Sequence, residues 1–134
     1  MFRARNIWAG MLTFFNVPET GRERREYSRS EGAMSQNTSV AELTELARLV
    51  SGIYADRFGI TRDPAWYLGK MTEELGEVTA AYLKLAGQGR GSALQRDLED
   101  EVADLLGFLL VFADWQGIDA AAALQRKWGR YLQE

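Results

Sequence analysis

Leu68, Met71, Leu75, Val78, Tyr82 and Leu85 follow one another in alternating steps of three and four. That is the spacing of one face of an α-helix. Asp63 and Pro64 stand just before it, a good N-cap and first-turn pair, and the pattern predicts a helix to about Ala86. Upstream, Leu43, Leu46, Ala47, Val50, Ile53 and Tyr54 keep the same rhythm. Ser39 with Glu42 fits a capping box at the start of that helix, and Gly59 after Phe58 fits its end. Downstream, Ser92 with Gln95 is a second capping-box match. It opens a helix predicted to run to about Trp115. Between Leu105 and Trp115 almost every residue is apolar except Asp114. A helix apolar all round is buried on most sides, so this one is expected at the centre of the fold or against a second subunit. Gly117 ends it, and Asp119 caps a fourth helix over about 120–132. Strand alternation is absent throughout. The pattern predicts an all-α fold, most simply a bundle of four helices.

The first 33 residues break this texture. They hold six Arg and four Glu, a balance of +2, whereas residues 34–134 hold ten basic and fifteen acidic residues, a balance of −5. Ile7 to Val17 is apolar and follows Arg3 and Arg5, a superficial likeness to a secretion signal. Pro18 and Glu19 come next, without a small-x-small cleavage site. The run is also far short of the roughly 20 residues a membrane span needs. Residues 19–31 are charged and aperiodic. Residues 1–33 are therefore expected to be an accessory or disordered extension, or a start-site artefact, with Trp8, Phe14 and Phe15 able to dock elsewhere. Met34 opens a segment with the character of a domain start, and 34–134 is expected to be the helical domain. The cytoplasm is the default location, with no membrane partner.

Composition narrows the chemistry. The 134 residues include no Cys and no His. That removes disulfides, thiolate nucleophiles, Ser-His-Asp machinery and imidazole-ligated metals. A net charge of −3 and a pI near 5.1 argue against general nucleic-acid binding. Carboxylates, Lys, Arg, Tyr, Ser and Thr are what remains.

Two acid pairs then stand out. Glu74 and Glu77 lie three apart on the second helix, and Glu101 and Asp104 lie three apart on the third. Residues three apart share a helix face. At about 100° per residue, Glu74 falls at the edge of the apolar stripe and Glu77 lies about 60° further round. Glu73 projects nearly opposite the stripe, while Lys70 and Lys84 share the flank of the pair. Asp104 abuts Leu105 and Leu106, and acids so close to apolar surface are rarely left unpaired. Two facing pairs make an all-oxygen cage for a hard divalent cation, magnesium or manganese. Four carboxylates without a cation would repel one another.

EELGE at 73–77 followed by EVAD at 101–104 resembles the E-E-x-x-E … E-x-x-D pattern of the MazG-like family, all-α nucleoside triphosphate pyrophosphohydrolases. The likeness extends to Lys70 upstream, the apolar helix after Asp104, and QGID before a Lys-containing last helix. It covers about residues 40–132. The resemblance implies magnesium-dependent cleavage of a nucleoside triphosphate between its α- and β-phosphates. It makes Glu74, Glu77, Glu101 and Asp104 the metal ligands. Glu73 and Glu74 become the catalytic carboxylates, with Glu73 in an assisting place. Lys70, Lys84, Lys127, Arg130 and Tyr131 are candidates for substrate contact. Some deoxynucleotide-specific members carry Asn where this chain has Tyr131, which leaves base and sugar preference open. Family members form dimers or tetramers, so a homodimer or homotetramer is expected here.

Plainer readings stand beside these. Acids at i, i+3 on a helix are often a solvated face. Trp66, Tyr67, Phe108 and Trp128 fit either base stacking or a core. The GQGRG loop lacks a Walker lysine and a preceding strand, and reads as a hinge. Lys127 and Arg130 also suit the last turn of any helix. Two alternatives to the favoured activity are phosphoribosyl-ATP pyrophosphohydrolase, from a related all-α family, and an inactive helical interaction module.

Overall fold

The computed structural model describes residues 38–132. The expectations for residues 1–33, and for Met34 as a start, lie outside the described residues. Four α-helices follow in order: α1 (Val40–Phe58), α2 (Pro64–Leu85), α3 (Gln95–Trp115) and α4 (Ala120–Trp128). A 3-10 turn over Gly129–Leu132 closes the described chain. No strand occurs among the described residues. The all-α expectation therefore holds.

Most boundaries follow from local hydrogen bonds. Ser39 Oγ accepts from the Glu42 amide at 3.2 Å while the Glu42 carboxylate accepts from the Ser39 amide at 2.7 Å. This reciprocal pairing satisfies two donors that a helix start leaves open. Gly59 stops α1 in the left-handed conformation, at φ 61°, which glycine adopts without a Cβ clash. Asp63 accepts from the Trp66 amide at 2.7 Å and Asp119 from the Ala122 amide at 2.9 Å.

Two ends differ from the expectation. Ser92 does not cap α3. The N-cap is Leu94, whose side chain has no acceptor, and the start is held from inside by Asp97, which accepts the Leu94 amide at 2.6 Å. The fourth α-helix also stops at Trp128, where Gly129 begins the tighter turn. Glycine is a poor helix former, and it sits where the winding changes.

α3 is the central element, and both α1 and α2 pack on it. It buries Phe108, Leu110, Val111 and Ala113. From α1 come Ser51, Tyr54 and Ala55, and from α2 come Tyr67, Lys70, Glu74 and Ala81. That α2 seam is not the face marked by the regular apolar stripe. The regular apolar stripe does not form the core of the chain, because Leu68, Leu75 and Tyr82 are each at least half exposed.

An aromatic anchor explains the rotation. Tyr67 is wholly buried, with its ring 5.6 Å from Trp115 and 6.5 Å from Phe108. Its hydroxyl meets Ser51 Oγ of α1 at 3.2 Å, so the polar tip has a partner at depth. Residues 70, 74 and 81 follow Tyr67 at helical spacing, so turning Tyr67 inward turns them inward as well.

Apolar residues left outside form further stripes: Leu46, Leu49 and Ile53 on α1, and Val102, Leu106 and Leu109 on α3. No single described helix is long and apolar enough to cross a membrane, and α3 and α4 meet at a bend of 99°.

Replacing Tyr67 with Ala should remove the anchor and cost about 3–5 kcal/mol. Loss of the α2 cap in Asp63→Ala should cost about 1 kcal/mol. Urea unfolding followed by circular dichroism checks both values and their order.

Candidate metal centre

Packing α2 on α3 brings acids from both helices together. Glu74, Glu101 and Asp104 each offer an oxygen, and the three oxygens lie within 4.8 Å of one another. Opposed ligands of a magnesium ion with bonds of about 2.1 Å stand about 4.2 Å apart. Small side-chain adjustments would bring these oxygens to one ion. Glu74 is fully buried, and Glu101 and Asp104 are partly exposed, so the group is open toward solvent on its α3 side.

Glu74 decides whether this group is more than a charged surface. Its Oε1 lies 3.1 Å from Lys70 Nζ. Its Oε2 is buried and has no hydrogen-bond partner among the described residues. Buried polar atoms are nearly always paired, and an unpaired carboxylate oxygen beside two other carboxylates suits a cation better than it suits a proton donor. The donor set is all oxygen, which is what a hard divalent ion takes.

Lys70 brings a positive charge to the site. Its side chain is only 10% exposed. It donates to Glu73 Oε2, pairs with Glu74, and lies 5.4 Å from the centre of the Phe108 ring. Burial works to lower the Lys70 pKa, but the hydrogen bonds and charges of Glu73 and Glu74 outweigh it and the net shift is upward. The ammonium therefore stays protonated.

The acid pKa values rise as well, which for a carboxyl favours the neutral form. Burial raises the Glu74 pKa, opposed by Lys70 and reinforced by Glu73 and Glu77. Burial also lifts Asp104 from 3.8 to about 7, and the charges of Glu74, Glu101 and Asp100 add to it. Like charges in a poorly solvated space disfavour ionisation. Tyr54 of α1 belongs to the same neighbourhood. Its pKa is raised by burial first, with Lys70 lowering it and Glu73 and Glu74 raising it.

The expected residues divide clearly. The structure joins Glu74, Glu101 and Asp104, with Glu73 attached through Lys70. Glu77 stays outside the three-oxygen group, partly exposed, though its charge bears on Glu74. Lys84, Lys127, Arg130 and Tyr131 are exposed. Arg130 donates to the Tyr131 hydroxyl at 2.9 Å and lies over its ring, and neither it nor the other three bonds to the carboxylates. Trp66 and Tyr67 join Phe108 in one aromatic cluster, with Tyr67 in the core and Trp66 partly exposed. Sequence reasoning took Tyr54 only as a core position and did not single out Asp100. Tyr54 acts through tertiary proximity and has no motif, whereas Asp100 precedes Asp104 by four residues on α3 and lies within reach of helical spacing.

A groove of about 500 Å³ lies elsewhere, lined by residues that include Ser39, Glu45, Leu110, Asp114 and Asp119. None of the expected site residues lines it. Comparison with known proteins adds nothing to the geometry: no family model, curated protein or solved structure matches the chain.

The raised acid pKa values make stability depend on pH. Asp104 binds a proton more readily in the folded chain than unfolded, so the folded state is favoured at low pH. That advantage is lost as pH rises from about 4 through about 7. In chelator, the melting temperature of wild type should fall across that window more steeply than that of Asp104→Asn. Added magnesium should restore more stability at pH 8 than at pH 6. Differential scanning calorimetry at matched ionic strength reads both trends.

Proposed function

We propose that this chain is a metal-dependent nucleoside triphosphate pyrophosphohydrolase with a MazG-like helical bundle. The observation that carries the reading is the buried, unpartnered Glu74 Oε2 within a three-carboxylate group. The E-E-x-x-E … E-x-x-D order of the acids supplies the reaction class by resemblance. Glu74, Glu101 and Asp104 would hold magnesium or manganese, with Glu77 close enough to add charge. A bound ion would neutralise phosphate oxygens and lower the pKa of a bound water.

The chain's own groups have separate tasks in this reading. Glu73, half exposed and paired with Lys70, would orient water or accept its proton. Lys70 pairs with both Glu73 and Glu74 and offsets part of their charge. In the overall reaction, water oxygen bonds to the α-phosphorus and the α–β bridging bond breaks. Pyrophosphate leaves, and the proton passes to a carboxylate and then to solvent. The exposed Lys84, Lys127, Arg130 and Tyr131 remain candidates for substrate contact.

Assembly belongs to the same proposal. The half-exposed apolar stripes on α1, α2 and α3 among the described residues are the kind of surface that a second subunit covers. A homodimer or homotetramer accounts for them. Sedimentation should give a multiple of the 15.1 kDa chain, and Leu75→Glu combined with Tyr82→Glu should lower it toward a single chain.

Activity is tested by pyrophosphate release from a panel of ribo-, deoxyribo- and modified nucleoside triphosphates, with magnesium, manganese or chelator. Glu74→Gln and Asp104→Asn should each lose roughly a hundredfold or more in turnover. Full turnover in both variants would refute the site. Silence across the panel with metal still bound would favour phosphoribosyl-ATP as substrate. Silence without metal binding would favour the interaction module.

A further inference from the structure

We propose that Lys70 is a resident counter-ion of the carboxylate cage and that its charge sets how tightly the cage takes a divalent cation. This rests on the metal reading of Glu74, Glu101 and Asp104 and extends it to a residue that would bind no metal.

The placement is unusual for a lysine. A long ammonium side chain normally reaches water, yet this one is 10% exposed and its partner Glu74 is 2% exposed. One turn of α2 supplies both of its named carboxylates, Glu73 at i+3 and Glu74 at i+4. They differ in depth: the Glu73 side chain is 51% exposed. The ammonium thus has an inner partner that belongs to the cage and an outer partner that does not. Beneath it, the Phe108 ring offers a π face at 5.4 Å. Phe108 lies one turn beyond Asp104 on α3, so the same helix that brings an acid to the cage also seats the cation beside it.

Charge arithmetic gives this placement a consequence. Glu74, Glu101 and Asp104 carry up to three negative charges in a poorly solvated space, and Lys70 offsets one of them. With no divalent ion bound, that offset lets Glu74 be buried without an uncompensated charge. Toward an incoming cation the same ammonium is a competitor, since it already holds Oε1 of the innermost ligand and repels a second positive charge nearby. Lys70 therefore strengthens the empty cage and weakens the loaded one.

An ordinary phosphate-contacting lysine would behave otherwise. Its removal would weaken substrate binding and leave metal affinity alone. An ordinary structural ion pair would, on removal, loosen the cage and weaken metal binding. Only a counter-ion makes metal binding tighter when it is lost.

Manganese affinity, read by electron paramagnetic resonance without substrate at a fixed pH of about 8, tests this. Lys70→Met, which keeps the stem and removes the charge, should bind Mn²⁺ about tenfold tighter than wild type or more. In chelator it should melt lower than wild type, and saturating Mn²⁺ should close the gap. Lys70→Arg, which keeps the charge, should bind Mn²⁺ within about threefold of wild type. Should Lys70→Met fold only with metal present, the midpoint of its Mn²⁺-dependent refolding supplies the affinity, with the same expectation. Equal or weaker Mn²⁺ affinity in Lys70→Met, beside normal binding by wild type, overturns the counter-ion role alone. Failure of the wild-type protein to bind Mn²⁺ overturns the metal reading itself, and this role with it.

Discussion

A buried ammonium held against a buried carboxylate is the constraint on which the rest of this chain turns. Lys70 and Glu74 lie on the face of α2 that meets α3. Burying either without the other would leave an uncompensated charge, a penalty of several kcal/mol. Together they are tolerated, though such a pair adds little net stability. The packing that compels their burial comes from Tyr67. Once that ring is inside, helical spacing brings Lys70 and Glu74 in behind it. Core formation and site formation are therefore one event on α2.

Local features were legible in the sequence because their causes are local. The reciprocal bonds of Ser39 and Glu42, the left-handed Gly59 and the Asp63 and Asp119 caps involve residues three or four apart. Sequence spacing reports such contacts directly. The start of α3 was misread for a related reason. Ser92 had the right chemistry, but Asp97 reached back to Leu94 instead, and a capping box records which residues can cap without recording which one does.

The site was legible in part. Spacing of three placed Glu101 with Asp104, and the acid order paired that helix with α2. Choosing among Glu73, Glu74 and Glu77 needed the rotation of α2, and that depends on aromatic partners of Tyr67 distant in sequence, Phe108 and Trp115. Hydrophobic periodicity measures which face is apolar. It cannot say which apolar face the chain keeps for itself, and Leu68, Leu75 and Tyr82 of the regular stripe lie outward. Lys70 was a candidate for substrate contact, and the structure gives it two carboxylates and an aromatic ring. The contribution of Tyr54 to the site's electrostatics is wholly tertiary and leaves no trace in spacing.

The division of α2 into two faces has a consequence for how such a chain can change over generations. One face carries Tyr67, Lys70, Glu74 and Ala81, and the other carries Leu68, Leu75 and Tyr82. Substitutions on the first are coupled, since charge, volume and ring contacts there must be altered together. Substitutions on the second break no hydrogen bond, ion pair or ring contact of those groups. Drift can thus rewrite what α2 adheres to while the chemistry beneath it is inherited intact.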